Sequence, residues 1–246
     1  ALGSNASVGP ENFAIHTVSS RPLNGSTVSN LGVLPSEHGV KPCMTLEDQT
    51  VVVAFHDGTD GRLYLGRGGE AGFQVVMMNG RLDESVSSRD PGGRYADFEN
   101  HVIGEDCAIL SADGELNLVF SNSRTWAMMA YRGTLQGPGV VDILDEGEWG
   151  HRTRIGAAPA AIFDAAQRPV VIYQDSTNSD LRMNVRTNSG WLESAVIISD
   201  EGAVGFSNSI AMDGSEALIG TVRLKTVMGV RERSTVELYS VDLTQY

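Results

Sequence analysis

Three stretches of this chain repeat one another at fixed spacing, and no other property constrains the fold as strongly. Val51-Val52-Val53-Ala54-Phe55-His56-Asp57 is echoed by Leu116-Asn117-Leu118-Val119-Phe120-Ser121-Asn122, and again by Pro169-Val170-Val171-Ile172-Tyr173-Gln174-Asp175. Each is an apolar run ending in an aromatic, one free position, then Asp or Asn. A second run follows and closes on an arginine: Arg67, Arg132 and Arg186. The arginine lies ten residues after Asp57 and Asn122, and eleven after Asp175. Runs of this length, broken by Gly, Asp, Asn and Ser, read as short antiparallel strands, and helical periodicity is hard to find.

The repeat extends in both directions. A third run lies downstream in each copy, at Phe73 to Met78, Val140 to Leu144 and Trp191 to Ile198. Upstream, Gly39, Gly104 and Gly156 each precede another apolar stretch. Each unit therefore holds four strands, joined by turns such as Ala112-Asp113-Gly114, where Asp and Gly accept positive φ. A degenerate fourth unit begins at Gly205, with strands at Ser209 to Met212, Ala217 to Val222 and Thr235 to Val241. It lacks an outer strand. Phe13 to Val18 is expected to supply it, closing a ring.

Four-stranded units of about 40–50 residues are the signature of a β-propeller, whose blades bury their faces on one another. The expectation is an all-β chain: a small propeller of about four four-stranded blades, forming one domain over residues 1–246. A β-sandwich is the rival, but it leaves the Asp-to-Arg spacing unexplained. Composition narrows the function. With 18 basic and 31 acidic residues the net charge is −13, which argues against a nucleic-acid surface. No run approaches the roughly 18 consecutive apolar residues of a membrane span, so no membrane insertion is expected.

The unit containing Val171-Ile172-Tyr173-Gln174-Asp175-Ser176-Thr177-Asn178-Ser179-Asp180-Leu181-Arg182 resembles repeats of secreted bacterial β-propeller proteins, within a wider sialidase-like and lectin-like group. The resemblance implies a propeller fold and an extracellular, cell-surface or periplasmic location. The nearest stretch to a sialidase Asp-box, Ser111-Ala112-Asp113-Gly114, lacks the box's Trp, so no sialidase activity is carried over. Cys43 and Cys107 fall at nearly equivalent points of two adjacent units, on the innermost strand of each. In an exported protein they are expected to form a disulfide. The alternative is two buried thiols acting as small hydrophobes.

Several positions admit both a structural and a functional reading. Asp57, Asn122 and Asp175 suit turn-holding, since their side chains can accept backbone N–H groups just beyond the strand. No cofactor is expected, although the oxygens of Asp175, Asn178 and Asp180 would suit calcium. Arg67, Arg132 and Arg186 either pair with the recurring carboxylate across a blade or line equivalent ligand pockets. Trp126 and Trp191 are packing residues or platforms for sugar stacking. Arg231 and Arg233, with Arg223 and Lys225, form a basic hairpin that either is solvated or holds an anionic partner.

Propellers host many functions, so fold alone cannot assign one. The leading expectation is a non-catalytic extracellular module that binds carbohydrate or another cell-surface ligand, such as a surface protein. A glycoside hydrolase or lyase is the alternative, with Glu105 and Asp106 as the first carboxylates to test. A scaffold or adhesion domain of a larger surface protein is a third reading.

Overall fold

The computed structural model describes residues 2–6, 13–20, 29–32, 39–47, 50–57, 62–69, 72–77, 103–122, 127–135, 139–146, 155–199, 202–227 and 230–246. Among them every element is a strand, apart from one 3-10 turn at Leu243–Gln245. The first sheet comprises β1 (Leu2–Ala6), β2 (Phe13–Ser20) and β3 (Ser29–Gly32). The second runs β4 (Gly39–Glu47), β5 (Thr50–Asp57), β6 (Arg62–Gly69), β7 (Gly72–Met77), and the third β8 (Ile103–Ala112), β9 (Glu115–Asn122), β10 (Ala127–Gly133), β11 (Gly139–Asp145). In the fourth, β12 (Ile155–Phe163), β13 (Pro169–Asp175) and β14 (Asp180–Thr187) are followed by β15 (Gly190–Trp191) and β16 (Ala195–Ile198), both of which pair with β14. The last contains β17 (Ala203–Asp213), β18 (Glu216–Val227) and β19 (Val230–Asp242).

Four of these five sheets are the four units of the repeat, each led by its glycine-headed strand. The tight turn between β8 and β9 has Asp113 at φ 52° and Gly114 at φ 76°. Positive φ at both central residues matches the right-handed twist of the flanking strands. One expectation needs correction. Phe13–Val18 does not complete the last unit; it lies in β2, between β1 and β3. Among the described residues β19 pairs only with β18. Hairpins formed within residues 2–32 close short loops, whereas pairing with β19 would close one of more than 200 residues, an entropic disadvantage.

The chain divides into two compact units, residues 1–118 with 131–141 and residues 119–130 with 142–246. In the first, Val52, Val53, Ala54 and Phe55 of β5 and Leu63 and Leu65 of β6 are buried, and the rings of Phe55 and Tyr64 stack at 5.6 Å. In the second, β13 is buried along its whole length. Val170 and Ile172 join a cluster with Leu181, Met183, Val204 and Ile219, while Val171 and Tyr173 join another with Val119, Met128 and Leu144. Successive strand residues point to opposite faces, so a sheet covered on both sides needs apolar side chains at every position. That is why the second strands β5 and β13 read as nearly unbroken apolar runs, whereas β18 alternates and leaves Leu218 exposed.

Candidate active site

In two units the register places the glycine-headed start of the first strand beside the Asp that ends the second. Gly39 lies opposite Asp57 and Val40 opposite His56; Ile155 lies opposite Asp175. Just beyond, the first strand bulges. The register shifts between Val40 and Cys43, between Ala157 and Ala160, and between Phe206 and Ser209. A non-glycine residue adopts left-handed φ within each shift: Lys41 at 44°, Ala158 at 47° and Ser207 at 51°. The glycines at the head of two bulges have a second constraint. A Cβ on Gly205 would lie 2.9 Å from Cβ of Gln174, and one on Gly156 would lie 2.8 Å from Cε of Met128.

These bulges aim side chains from one first strand to the next. In the first unit the Lys41 ammonium reaches Asp106 Oδ1 on β8 at 2.9 Å. Two residues after Lys41, Cys43 is disulfide-bonded to Cys107, with Cα atoms 5.8 Å apart. Strands β4 and β8 are thus tied twice within a few residues. In the second unit the tie is neutral: Asn208 Nδ2 donates to the carbonyls of Ala158 (2.9 Å) and Gly205 (2.8 Å). Thr221 Oγ1 donates to Asn208 Oδ1 at 2.7 Å and fixes that amide's orientation. Left-handed φ costs an L-residue about 1–2 kcal/mol, while a solvent-exposed ion pair returns about 0–1 kcal/mol. Lys41 has a half-exposed side chain, so its ion pair does not offset the strain by stability alone.

The recurring Asp behaves as a turn-holder in the best-described copy. Asp175 is fully buried and accepts from Thr177 N (3.0 Å), Asn178 N (3.1 Å) and Asn178 Nδ2 (2.8 Å). Arg182 Nε lies 3.1 Å from its second oxygen. Asn178 is thereby joined to Asp175, and Asp180 opposes Asp175 across the hairpin. Among the described residues no group of three or more His, Cys, Asp or Glu is placed to hold a metal ion.

The recurring arginines do not pair with the recurring Asp, which corrects that part of the sequence reading. Arg67 lies opposite Val52, at the far end of the hairpin from Asp57, and its partner is Glu47 at 3.0 Å. Arg132 meets Glu115 at 3.4 Å. A residue ten positions beyond the end of one strand, past a short turn, falls opposite that strand's beginning. Arg186 lies opposite Trp191, which is half-buried and packs against the core cluster that contains Val171 and Tyr173. Trp126 lies outside the described residues. Arg231 stands opposite Thr226, and exposed Arg233 opposite Lys225. Arg223 is held by both oxygens of Glu237, at 2.8 and 2.9 Å, and by the Tyr239 hydroxyl at 3.1 Å. The Arg223 hydrogen bonds hold the Glu237 carboxyl below the ordinary carboxylate range.

One polar cluster was not foreseen. The Tyr173 hydroxyl lies 2.5 Å from Asn184 Oδ1, 2.8 Å from Ser194 Oγ and 3.1 Å from Asp145 Oδ2. Arg182 reaches the same Asp145 oxygen at 3.0 Å. Burial, and then the Asp145 carboxylate, push the Tyr173 hydroxyl well above its ordinary value. A signal was present: of Phe55, Phe120 and Tyr173, only the third brings a hydroxyl into the core, and a buried hydroxyl needs partners.

No family model and no curated protein matches the sequence. Solved structures match by fold. The chain superposes over 84% of its length on 73% of a GH43 endo-arabinanase from Bacillus licheniformis, with a TM-score of 0.53 and 11% identity. The fold is a β-propeller. The propeller also matches a bifunctional GH43-CE protein from Bacteroides eggerthii, over 83% of this chain and 26% of that one (TM-score 0.51, 13% identity). A third match is an exo-β-1,3-galactanase from Phanerochaete chrysosporium, solved with galactose, over 86% of this chain and 48% of that one (TM-score 0.50, 8% identity). These identities show a shared fold. The leading expectation of a non-catalytic binding module is corrected by these matches, which are an endo-arabinanase, a bifunctional GH43-CE protein and an exo-β-1,3-galactanase.

Proposed function

We propose that this chain is a propeller glycosidase that cleaves glycosidic bonds with water, and that Asp106 is one of its working carboxylates. The observation that carries the reading is the position of Asp106. Its carboxylate stands where two first strands meet, held by Lys41 and flanked by the Cys43–Cys107 bond. Glycoside hydrolysis uses one carboxyl to protonate the leaving oxygen and another to activate water or attack the sugar, so a carboxylate with a fixed position suits it. The likeness to an arabinanase and a galactanase supports a carbohydrate substrate. The side chain of Glu105 lies outside the described residues.

In this reading residues 1–246 form one propeller domain, and Trp126, between β9 and β10, and exposed Arg233 are candidate sugar contacts. The disulfide supports an oxidising compartment outside the cytoplasm. Among the described residues no helix is long and apolar enough to cross a membrane.

The test is release of reducing ends from a panel including arabinan and β-1,3-galactan. The intact protein should release them. Asp106→Asn should lower kcat by about 100-fold or more, the usual scale of lost acid–base catalysis, without changing the thermal midpoint by more than a few degrees. A protein that cleaves none of the panel, or an Asp106→Asn variant as active as its parent, would refute the assignment.

A further inference from the structure

We infer that Lys41, delivered from a bulge that recurs in this fold, is a positioning residue for Asp106; the inference rests on the glycosidase reading. Among the described residues three first strands carry the same bulge, and of these one places a charge there: Lys41, where the others have Ala158 and Ser207. The neutral tie in the second unit shows that joining two first strands needs no ion pair, since Asn208 and the Ala158 carbonyl achieve it. The first unit is also already joined by a covalent bond. A strained, half-exposed lysine is therefore redundant for holding β4 to β8. Its distinct effect is on the Asp106 side chain, which its ammonium holds at 2.9 Å.

An aspartate has few rotamers, and each moves its oxygens by more than an ångström. Reaction geometry does not tolerate displacements of that size. An ammonium delivered from a backbone locked in a bulge selects one rotamer. Both residues keep the disulfide as a neighbour, so removing the charge leaves the strand junction closed.

Three variants and two readouts test this. Lys41→Met keeps the side-chain length and removes the charge, Lys41→Arg keeps a cationic donor, and Lys41→Gly relieves the backbone. On a cleaved polysaccharide, Lys41→Met should lose about tenfold or more in kcat with KM within about twofold. Lys41→Arg should recover most of that loss. Lys41→Gly should melt no lower than the parent yet be as slow as Lys41→Met. An unchanged kcat in Lys41→Met, a loss confined to KM, or no recovery in Lys41→Arg overturns the inference. The second readout needs no turnover: side-chain NMR couplings of Asp106 should report one rotamer in the parent and several in Lys41→Met. Unchanged rotamer populations overturn the positioning role even if the enzyme is active. A rotamer change in a protein that cleaves nothing supports the positioning role and rejects the glycosidase reading.

Discussion

At the scale of single residues, Tyr173 shows how one oxygen changes what a repeat position does. Phe55 and Phe120 fill the equivalent core positions with rings alone, whereas Tyr173 brings a hydroxyl that Asn184, Ser194 and Asp145 surround. Tyr173→Phe keeps the ring and removes the hydroxyl, taking from buried Asn184 Oδ1 the donor that Tyr173 supplies, while Asp145 keeps Arg182. The expected loss is about 1–3 kcal/mol, the cost of unsatisfied buried polar groups. It should be read as a lower urea midpoint at unchanged slope. A midpoint equal to the parent's would mean that water or a neighbour serves the cluster as well as the tyrosine does. The network was only partly legible in sequence. The aromatic position was clear from the repeat, but nothing in the repeat pairs it with Asp145 and Ser194, which reach Tyr173 only once β11 and the segment before β16 are packed.

At the scale of elements, the Arg223–Glu237 pair links β18 to β19 with Tyr239 as a third member; the Tyr239 hydroxyl also contacts Glu237. The folded-state value of Glu237 is lowered, chiefly by the Arg223 hydrogen bonds. Its contribution is therefore full above the ordinary glutamate range and is lost as pH falls through the lowered value. Glu237→Gln should flatten stability against pH in that acidic window and lower stability at neutral pH. The Glu237 side chain is partly solvent-accessible, so the neutral-pH loss should stay within about 1 kcal/mol. An acid-unfolding profile identical to the parent's would rule the pair out as a contributor. Charge spacing left open whether the basic hairpin is solvated or holds an outside partner, and pairing by register gives Arg223 an acidic partner within its own sheet. Composition lists charges, and only register says which ones face each other.

At the scale of the molecule, the Cys43–Cys107 bond spans 64 residues and ties two sheets of the repeat at their first strands. Closing a loop of that length restricts the unfolded chain by about 4 kcal/mol in the entropic account. Replacing both cysteines by alanine should lower stability by about 2–4 kcal/mol, measured by urea unfolding against the oxidised parent. Mass spectrometry should find no alkylatable thiol in the unreduced protein. Two alkylated cysteines, or equal stability of the double variant, would remove the bond from the account of the fold.

The repeat by itself determined where the strands of its four units lie and why β5 and β13 are apolar along most of their length. These are local matters, encoded in side-chain alternation and in turn residues within some ten positions. It also placed both cysteines on equivalent first strands. Tertiary structure alone decided the partners: β2 within its own N-terminal sheet, Arg67 with Glu47, and Lys41 with Asp106. The physical reason is that alternation specifies which face of a strand is buried but carries no information about which distant edge it meets. That choice depends on loop closure, on bulges that redirect single side chains, and on the packing of whole sheets.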